Sequence, residues 1–219
     1  MTWCLQPEQI SFGSGAPELF LLQLPSLTDD RLAAQLAAAC SADRLAWAAR
    51  YRLPDDRLRS LAAGWLLGYA LHAVVGRSFE ELKEPGGRSY LSDRSDLSGL
   101  QFSIAHSGCW VACALHSGAV GVDLELLQEP GEGVTELVMA PSELAVWQAL
   151  PDTAIRQRWF CCLWTLKEAW LKMLGTGLDR SPADCTVETL YGPSADSLRG
   201  VSSLLPDGSG MVSLCWRLS

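Results

Sequence analysis

Three carboxylates and one lysine have the residue types and spacings in this chain that most strongly indicate a catalytic or metal-binding site. Asp123 and Glu125 lie two positions apart in Gly-Val-Asp-Leu-Glu, and Glu168 lies in Trp-Thr-Leu-Lys-Glu-Ala, four positions before Lys172. Carboxylates with no neighbouring His/Cys cluster suit a hard divalent cation, and Mg²⁺ is the usual choice when phosphates complete its shell. A lysine beside such a metal is what a polyphosphate substrate needs. The pattern therefore predicts metal-dependent phosphoryl chemistry.

The elements around these residues explain how they would be brought together. The apolar run from Val120 to Leu126 predicts a buried strand, and strand side chains alternate between faces, so Asp123 and Glu125 share one face. Charged residues are rare in buried strands unless they are paired or metal-bound, which favours a metal role over two solvated acids. Glu168 and Lys172 lie one helical turn apart. They could form an ordinary surface pair, but the apolar residues around them favour a cleft.

Composition limits the classes of protein to consider. The chain has 219 residues, 48% of them hydrophobic and 19% charged, with a net charge of −8. These values argue against disorder and against nucleic acid as a partner. The 8 cysteines form no CxxC pair, so we expect reduced thiols packed as small hydrophobes. The start of the chain lacks signal-peptide features, and the longest apolar stretch, residues 60–76, is short for a membrane span. We expect a soluble, cytoplasmic protein.

The order of predicted elements occurs twice along the chain. Each half reads as a strand, then helices, then a pair of strands, which predicts an α+β fold of two similar lobes. We place the lobes at residues 1–118 and 119–219, in a pseudo-two-fold arrangement with a ligand cleft between them. The predicted first-half elements are a strand at Glu18–Leu24, helices at Asp29–Ala39 and Asp55–Val75, and strands at Leu100–Ala105 and Trp110–His116. The predicted second-half elements are a strand at Ala119–Leu126, a helix opening at Ser142, a helix at Thr153–Leu174 ending before Gly175, and strands at Cys185–Leu190 and Met211–Leu218.

Further candidates carry weaker signals. His106 follows a strand; its spacing alone favours a turn residue over a phosphate donor. Arg88 lies in a glycine-containing turn, for which a solvated loop is the default interpretation. The arginines between Arg44 and Arg59 form either a solvated helix face or a phosphate-binding patch.

Several blocks of the sequence resemble the 4′-phosphopantetheinyl transferases of the long, surfactin-synthetase-activating type. Gly-Val-Asp-Leu-Glu at 121–125 is similar to that family's Gly-Ile-Asp-Ile-Glu, and residues 164–178 fit its Trp-x-x-Lys-Glu-(Ala/Ser)-x-x-Lys-x-x-Gly-x-Gly-Leu. Glu143 stands where the family has a glutamate between these blocks. Weaker likenesses cover Phe-Ser-Ile-Ala-His-Ser at 102–107, Gly-Arg-Ser at 87–89 and the arginine-rich stretch at 48–59. Ser103 and Ala105 depart from the family's Asn and Ser.

The resemblance implies a fold and a reaction. Such enzymes have two similar α+β lobes with the cofactor between them, and one chain suffices, so a monomer is expected. They move the phosphopantetheine arm of coenzyme A onto a serine of an apo acyl or peptidyl carrier protein and release adenosine 3′,5′-bisphosphate. The resemblance does not say whether the carrier serves fatty acid, polyketide or nonribosomal peptide synthesis.

Residue roles follow from the same resemblance. Mg²⁺, or Mn²⁺ in its place, would be held by Asp123, Glu125 and Glu168, and Glu168 or a water on it would take the serine proton. The pyrophosphate would be bound by Lys172 and His106. Other phosphates or the adenylate end would be bound by Arg44, Arg59 and Arg88. The carrier protein would face the segment after Glu125, through Val134, Leu137, Val138 and Met139.

Two other functions remain compatible with the residues. One is a different metal-dependent phosphoryl or nucleotidyl enzyme built on the same acids, which would not release adenosine 3′,5′-bisphosphate. The other is a non-catalytic module that holds coenzyme A or a carrier. The presence of all three acids together with Lys172 speaks against that second alternative.

Overall fold

A computed structural model of the chain describes residues 4–76, 81–83, 89–91, 99–175, 181–186 and 198–218. Strands and helices alternate in blocks along both halves. The first half contains β1 (Glu8–Ile10), β2 (Glu18–Gln23), α1 (Asp30–Ala37), α2 (Ala42–Ala48), α3 (Pro54–Val75), β3 (Glu81–Lys83), β4 (Ser89–Leu91), β5 (Gln101–Ser107) and β6 (Trp110–His116). The second half contains β7 (Val120–Leu126), α4 (Val134–Val138), α5 (Pro141–Ala149), α6 (Thr153–Leu174), β8 (Leu198–Leu204) and β9 (Gly210–Arg217).

The first half is an antiparallel sheet covered by helices. The strand order is β1-β2-β6-β5, and every neighbouring pair is antiparallel. Helix α3 begins with Pro54, whose fixed φ suits a first helical position, and ends at Gly76 in the left-handed region with φ 76°. Among the described residues α3 alone is long and apolar enough to cross a membrane. Half of that stretch is buried, because Leu66 and Leu71 pack on the sheet as part of the core.

The second half is a smaller antiparallel sheet with order β7-β9-β8, covered by α6. Asp152 caps α6, its carboxylate accepting a hydrogen bond of 2.8 Å from the Ile155 amide. Gly175 ends the helix with φ 70°. The bounds of α6 are those that the sequence predicted.

The two halves share one connectivity. Apart from β1, which lies beyond β2, the last strand of each half lies between the two other strands of its sheet, giving β2-β6-β5 in one sheet and β7-β9-β8 in the other. The long helix of each half has 22 residues. The predicted α+β fold class is confirmed, with one main sheet in each half and a separate two-stranded sheet, β3-β4. Residue 118 falls in the connection between β6 and β7, and the independence of the two halves as domains stays a prediction.

The sheets pack face to face and meet along β5 and β7. A shared core cluster joins Leu19 and Trp110 of the first sheet with Val122 and Leu214 of the second. At the β5–β7 junction the Val122 amide donates a hydrogen bond of 3.0 Å to the Ser103 hydroxyl. Ser103 therefore ties the two halves together at the strand that carries Asp123 and Glu125.

Several sequence expectations need correction. The predicted strand Cys185–Leu190 is wrong at its start, because Cys185 directly follows a 3₁₀ turn at Pro182–Asp184, and residues 187–190 lie outside the described ones. The last strand, β9, pairs with β8 and with β7. Helix α2, capped by Ser41, was not predicted. The expectation of unpaired thiols is met, since all of the cysteines are free.

Candidate active site

Strand β7 carries its two acids on the face that α6 covers. Val120, Val122 and Leu124 point into the core between the sheets, so the alternate residues face the helix. Gly121 allows this contact, since a Cβ there would lie 1.9 Å from the Ala169 carbonyl oxygen. Only glycine permits so close an approach of backbone to backbone. The acids of β7 therefore lie directly under the polar stripe of α6.

Asp123 and Glu168 meet Lys172 in this contact. The Lys172 Nζ donates to Asp123 Oδ1 at 2.6 Å, and Asp123 is only 6% exposed. Within the described part of the chain, Asp123 Oδ2 and Glu168 Oε1 are both buried without a hydrogen-bond partner. An unsatisfied buried carboxylate oxygen is costly unless something positive completes it. The site thus presents two oxygens ready for a cation.

Burial raises the pKa of each of the three carboxyl groups. For Asp123 the Lys172 charge opposes that rise in pKa. For Glu125 the main opposition is a hydrogen bond of 2.6 Å from the Ser107 hydroxyl, which lowers its pKa. For Glu168 the negative charge of Asp123 adds to the effect of burial and raises the pKa further. Mutual repulsion of this kind indicates acids that lie close together.

The donor set fits a hard divalent cation. All three acids supply oxygen only, which Mg²⁺ and Mn²⁺ prefer, and two of those oxygens have no other partner among the described residues. The three acids are not arranged closely enough to form a metal site as they stand: in the described residues, no group of three His, Cys, Asp or Glu side chains has metal-site geometry. The other oxygen of Asp123, Oδ1, is paired with Lys172.

His106 lies on β5 and Arg59 on α3, in the half of the chain that does not carry the acids. Burial, with Arg59 and Lys172 nearby, lowers the pKa of His106 to about 4. The ring is therefore neutral at pH 7, with one N–H to donate. Arg59 donates to the Gly108 carbonyl at 3.1 Å and pairs with Asp56 at 2.6 Å. His106 and Lys172 lie within electrostatic reach of each other, and their binding of one ligand stays a prediction.

Arg44 is placed differently from the sequence expectation. Its side chain is buried, and its guanidinium is held by both carboxylate oxygens of Glu81, with Nε at 2.8 Å from Oε2. Gly64 leaves room for it, since a Cβ there would lie 2.8 Å from Arg44 Cγ. An arginine enclosed by a carboxylate is a structural ion pair, so the expectation of an exposed phosphate ligand is not supported at this position. Arg88 lies outside the described residues.

The segment after β7 also departs from expectation. Val138 is 1% and Met139 is 3% exposed, and both pack on Phe160 and Leu163. Those two residues belong to the core, which corrects their assignment to the carrier-binding surface. Leu137 is 70% exposed, and Val134 is partly buried against the same core cluster. Of the four residues expected to face the carrier, Leu137 is therefore the one that is exposed.

Lys167 has a structural role that the sequence did not indicate. It is fully buried, and its Nζ donates to Glu143 Oε2 at 2.5 Å and to the Val138 carbonyl at 2.7 Å. Glu143 Oε2 also accepts from the Ala140 amide at 2.9 Å. This ion pair fixes the segment of α4 and α5 to α6 one residue before Glu168. The available signal was Glu143 itself, which matched the resembled family.

A small cavity opens beside Glu125. It measures about 260 Å³ and is lined mainly by apolar groups, including Val134, Phe160 and Trp164. Glu125 is the residue of the acid site that lines this cavity.

Comparisons with known proteins agree with the motif assignment. Residues 119–197 match the model of the 4′-phosphopantetheinyl transferase superfamily. The 4′-phosphopantetheinyl transferase HetI of Nostoc sp. is 32% identical over 183 residues, which cover 81% of this chain and 76% of that protein. A 4′-phosphopantetheinyl transferase of Bacillus pumilus is 27% identical, over 74% of this chain and 70% of that protein. A holo-[acyl-carrier-protein] synthase structure from Thermotoga maritima shows 22% identity over 46% of this chain and 64% of that chain, with a TM-score of 0.36, too low to add to the argument.

Proposed function

Because the chain belongs to the 4′-phosphopantetheinyl transferase superfamily, we propose that it transfers the phosphopantetheine arm of coenzyme A to a serine of an apo carrier protein. The reaction requires Mg²⁺ and releases adenosine 3′,5′-bisphosphate. One observation carries the proposal: Asp123 and Glu168 each keep a buried oxygen without a partner in the described residues, and Lys172 pairs with the other oxygen of Asp123.

The three acids would hold the metal. Asp123 Oδ2 and Glu168 Oε1 are the oxygens that need a positive partner. Glu125 lies on the same face of β7 as Asp123. Bound Mg²⁺ would neutralise the charge that develops on the transferred and leaving phosphates. Mn²⁺ has similar ligand preferences and is expected to substitute.

Glu168 is the base in this proposal. The serine Oγ of the carrier attacks the phosphorus that bears the pantetheine arm and forms a new P–O bond. The P–O bond to the adenosine-bearing phosphate breaks, and adenosine 3′,5′-bisphosphate leaves with that electron pair. The serine proton passes to Glu168, whose pKa is raised by burial and by the charge of Asp123. A raised pKa makes a carboxylate a stronger base near neutral pH.

The cations around the site would bind the substrate phosphates. Lys172 already donates to a carboxylate at the site, and the neutral His106 offers one N–H. Arg59 is partly exposed and lies close enough to His106 to lower its pKa. Charge-assisted hydrogen bonds to phosphate are the strong ones, so a highly anionic ligand can bind a chain of net charge −8. Arg88 remains a candidate for the adenylate end.

The carrier would approach from the side of α4. Leu137 is the exposed apolar residue there, and the cavity beside Glu125 lies next to α4, with Val134 in its wall. The carrier serine must reach Glu168. The carrier residues next to that serine would therefore contact the surface beside Glu125. We expect the protein to act as a cytoplasmic monomer.

One incubation tests the proposal. Apo acyl and apo peptidyl carrier proteins are mixed with coenzyme A, Mg²⁺ and the protein, and both products are followed by mass spectrometry and chromatography. The expected result is a carrier with the mass of one phosphopantetheine added and an equal amount of adenosine 3′,5′-bisphosphate. Glu168→Gln serves as the matched control and should give neither product. A different nucleotide product would indicate another phosphoryl reaction, and no product with any carrier would refute the proposal.

A further inference from the structure

Three hydroxyl groups form a chain directly beside Asp123. Ser213 of β9 lies opposite Asp123 of β7 and also opposite Ser202 of β8. Directly paired residues of antiparallel strands project from the same face, so this row faces α6. Thr165 of α6 lies over it, with its Oγ1 at 2.7 Å from Ser213 Oγ, and Ser202 Oγ is also 2.7 Å from Ser213 Oγ.

The direction of donation along this chain follows from its end. Thr165 Oγ1 lies 2.9 Å from the Cys161 carbonyl oxygen and 3.1 Å from that of Cys162. Carbonyls only accept, so the single hydroxyl hydrogen of Thr165 goes to them. Thr165 therefore accepts from Ser213, and Ser213 accepts from Ser202. The one hydrogen of Ser213 is thereby used.

This direction matters for Asp123. The cross-strand neighbour of Asp123 is Ser213, which carries a hydroxyl group. The Cβ atoms of such a pair lie about 4.5–5.5 Å apart. Even so, Asp123 Oδ2 is buried with no partner in the described residues. The other oxygen, Oδ1, is held by Lys172. A hydroxyl that turned to Oδ2 would satisfy it and compete with any cation.

We infer that Thr165 is a positioning residue that draws the Ser213 hydrogen away from Asp123 and so keeps Asp123 Oδ2 available to a divalent cation. Thr165 touches neither the cation nor the substrate in this role. The inference rests on the proposed function only in that it takes the acid site to be a metal site.

Mn²⁺ binding to the purified full chain, measured by electron paramagnetic resonance without carrier or coenzyme A, tests the inference. Thr165→Val removes the acceptor, and we expect the dissociation constant for Mn²⁺ to rise about tenfold, which is about 1.4 kcal/mol. Ser213→Ala alone should not weaken binding. Thr165→Val combined with Ser213→Ala should restore binding to within about twofold of the unsubstituted chain, because the competing hydroxyl is gone.

The controls separate this role from the alternative that Thr165 only packs α6 against the sheet. Thr165→Ser keeps the acceptor and should bind Mn²⁺ normally, and Ser202→Ala leaves the Ser213 donation to Thr165 intact. Thr165→Ala, which adds no bulk, is measured in parallel so that a folding defect in Thr165→Val does not decide the outcome. Unchanged binding in the Thr165 variants, or a double variant as weak as Thr165→Val, would overturn the inference.

The same measurements distinguish this inference from the proposed function. A chain that binds Mn²⁺ with the expected pattern of variants but modifies no carrier would leave the inference standing and remove the proposed reaction. If the unsubstituted chain modifies carriers but Thr165→Val binds Mn²⁺ normally, the proposed reaction stands and the inference about Thr165 is wrong. No Mn²⁺ binding by the unsubstituted chain would overturn the inference.

Discussion

Gly121→Ala should separate α6 from β7 and so take the site apart. The added Cβ would lie 1.9 Å from the Ala169 carbonyl oxygen and 2.6 Å from the Met173 amide nitrogen, whereas real Cβ contacts do not fall below 3.0 Å. The helix must therefore move by about 1.1 Å, the difference between 3.0 and 1.9 Å. A shift of that size would stretch the contact of 2.6 Å between Lys172 and Asp123 beyond hydrogen-bonding distance.

Two quantities report this displacement. A misplacement of about 1 Å at a catalytic site can cost about 100-fold in rate, so we expect kcat for carrier modification to fall by roughly that factor. Overpacking costs about 1–3 kcal/mol, which corresponds to a fall in Tm of roughly 2–12 °C for a chain of this size.

The matched control is Gly68→Ala on α3. A Cβ at Gly68 meets nothing within 4 Å, so this variant should keep full kcat and gain roughly 0.5–1 kcal/mol from the better helix propensity of alanine. A folded Gly121→Ala protein with the same kcat as Gly68→Ala would refute the view that the close approach of α6 to β7 builds the site.

Three further perturbations test other parts of the structure. Because the pKa of His106 falls from 6.5 to about 4 on folding, the folded state loses stability as pH drops through that window, and His106→Gln should show a smaller loss of unfolding free energy between pH 6.5 and 4 in denaturant titrations. Lys167→Met removes the ammonium that pairs with the buried Glu143 carboxylate and should cost about 3–5 kcal/mol, while the added change Glu143→Leu should recover most of it; no recovery would contradict a buried ion pair. Leu137→Asp should raise KM for the carrier without changing Tm, because Leu137 is 70% exposed; a lower Tm would instead indicate a packing role.

The sequence predicted elements best where local signals agreed. Helix α6 has a capping aspartate before it and a glycine after it, and it was assigned its true bounds. Strand β8 was missed because its residues include Arg199, Gly200 and two serines, which lack a strand-like alternation. Its place in the sheet depends on pairing with β9, a non-local contact that a single segment does not report.

The sequence predicted those features of the site that depend on local spacing, and it did not predict those that depend on tertiary packing. The spacing of Asp123 and Glu125 is a strand property, and the spacing of Glu168 and Lys172 is a helix property, so both pairs could be read locally. Burial of Val138 and Met139 could not, because periodicity does not distinguish a core face from an exposed groove. Lys167 was overlooked because lysines are almost never fully buried unless paired, and its partner Glu143 lies in another element.

The repeated connectivity raises the question of why only the second half carries the acids. The counterpart of β7 in the first half is β2, which is paired on both sides, with β1 and with β6. Its central residues, Leu19 to Leu22, are apolar and buried, so charged groups there would have no access to a ligand.

Strand β7 has a sheet partner on one side only among the described residues, and its other side runs along β5. That edge position lets Glu125 reach the Ser107 hydroxyl of the other half, while Gly121 admits α6 to within reach of Asp123. The same fold unit therefore serves as a closed core in one half and as one wall of the site in the other. The difference lies in what flanks these two strands: β1 pairs with the edge of β2 that would otherwise be open, whereas β5 of the other half runs beside β7.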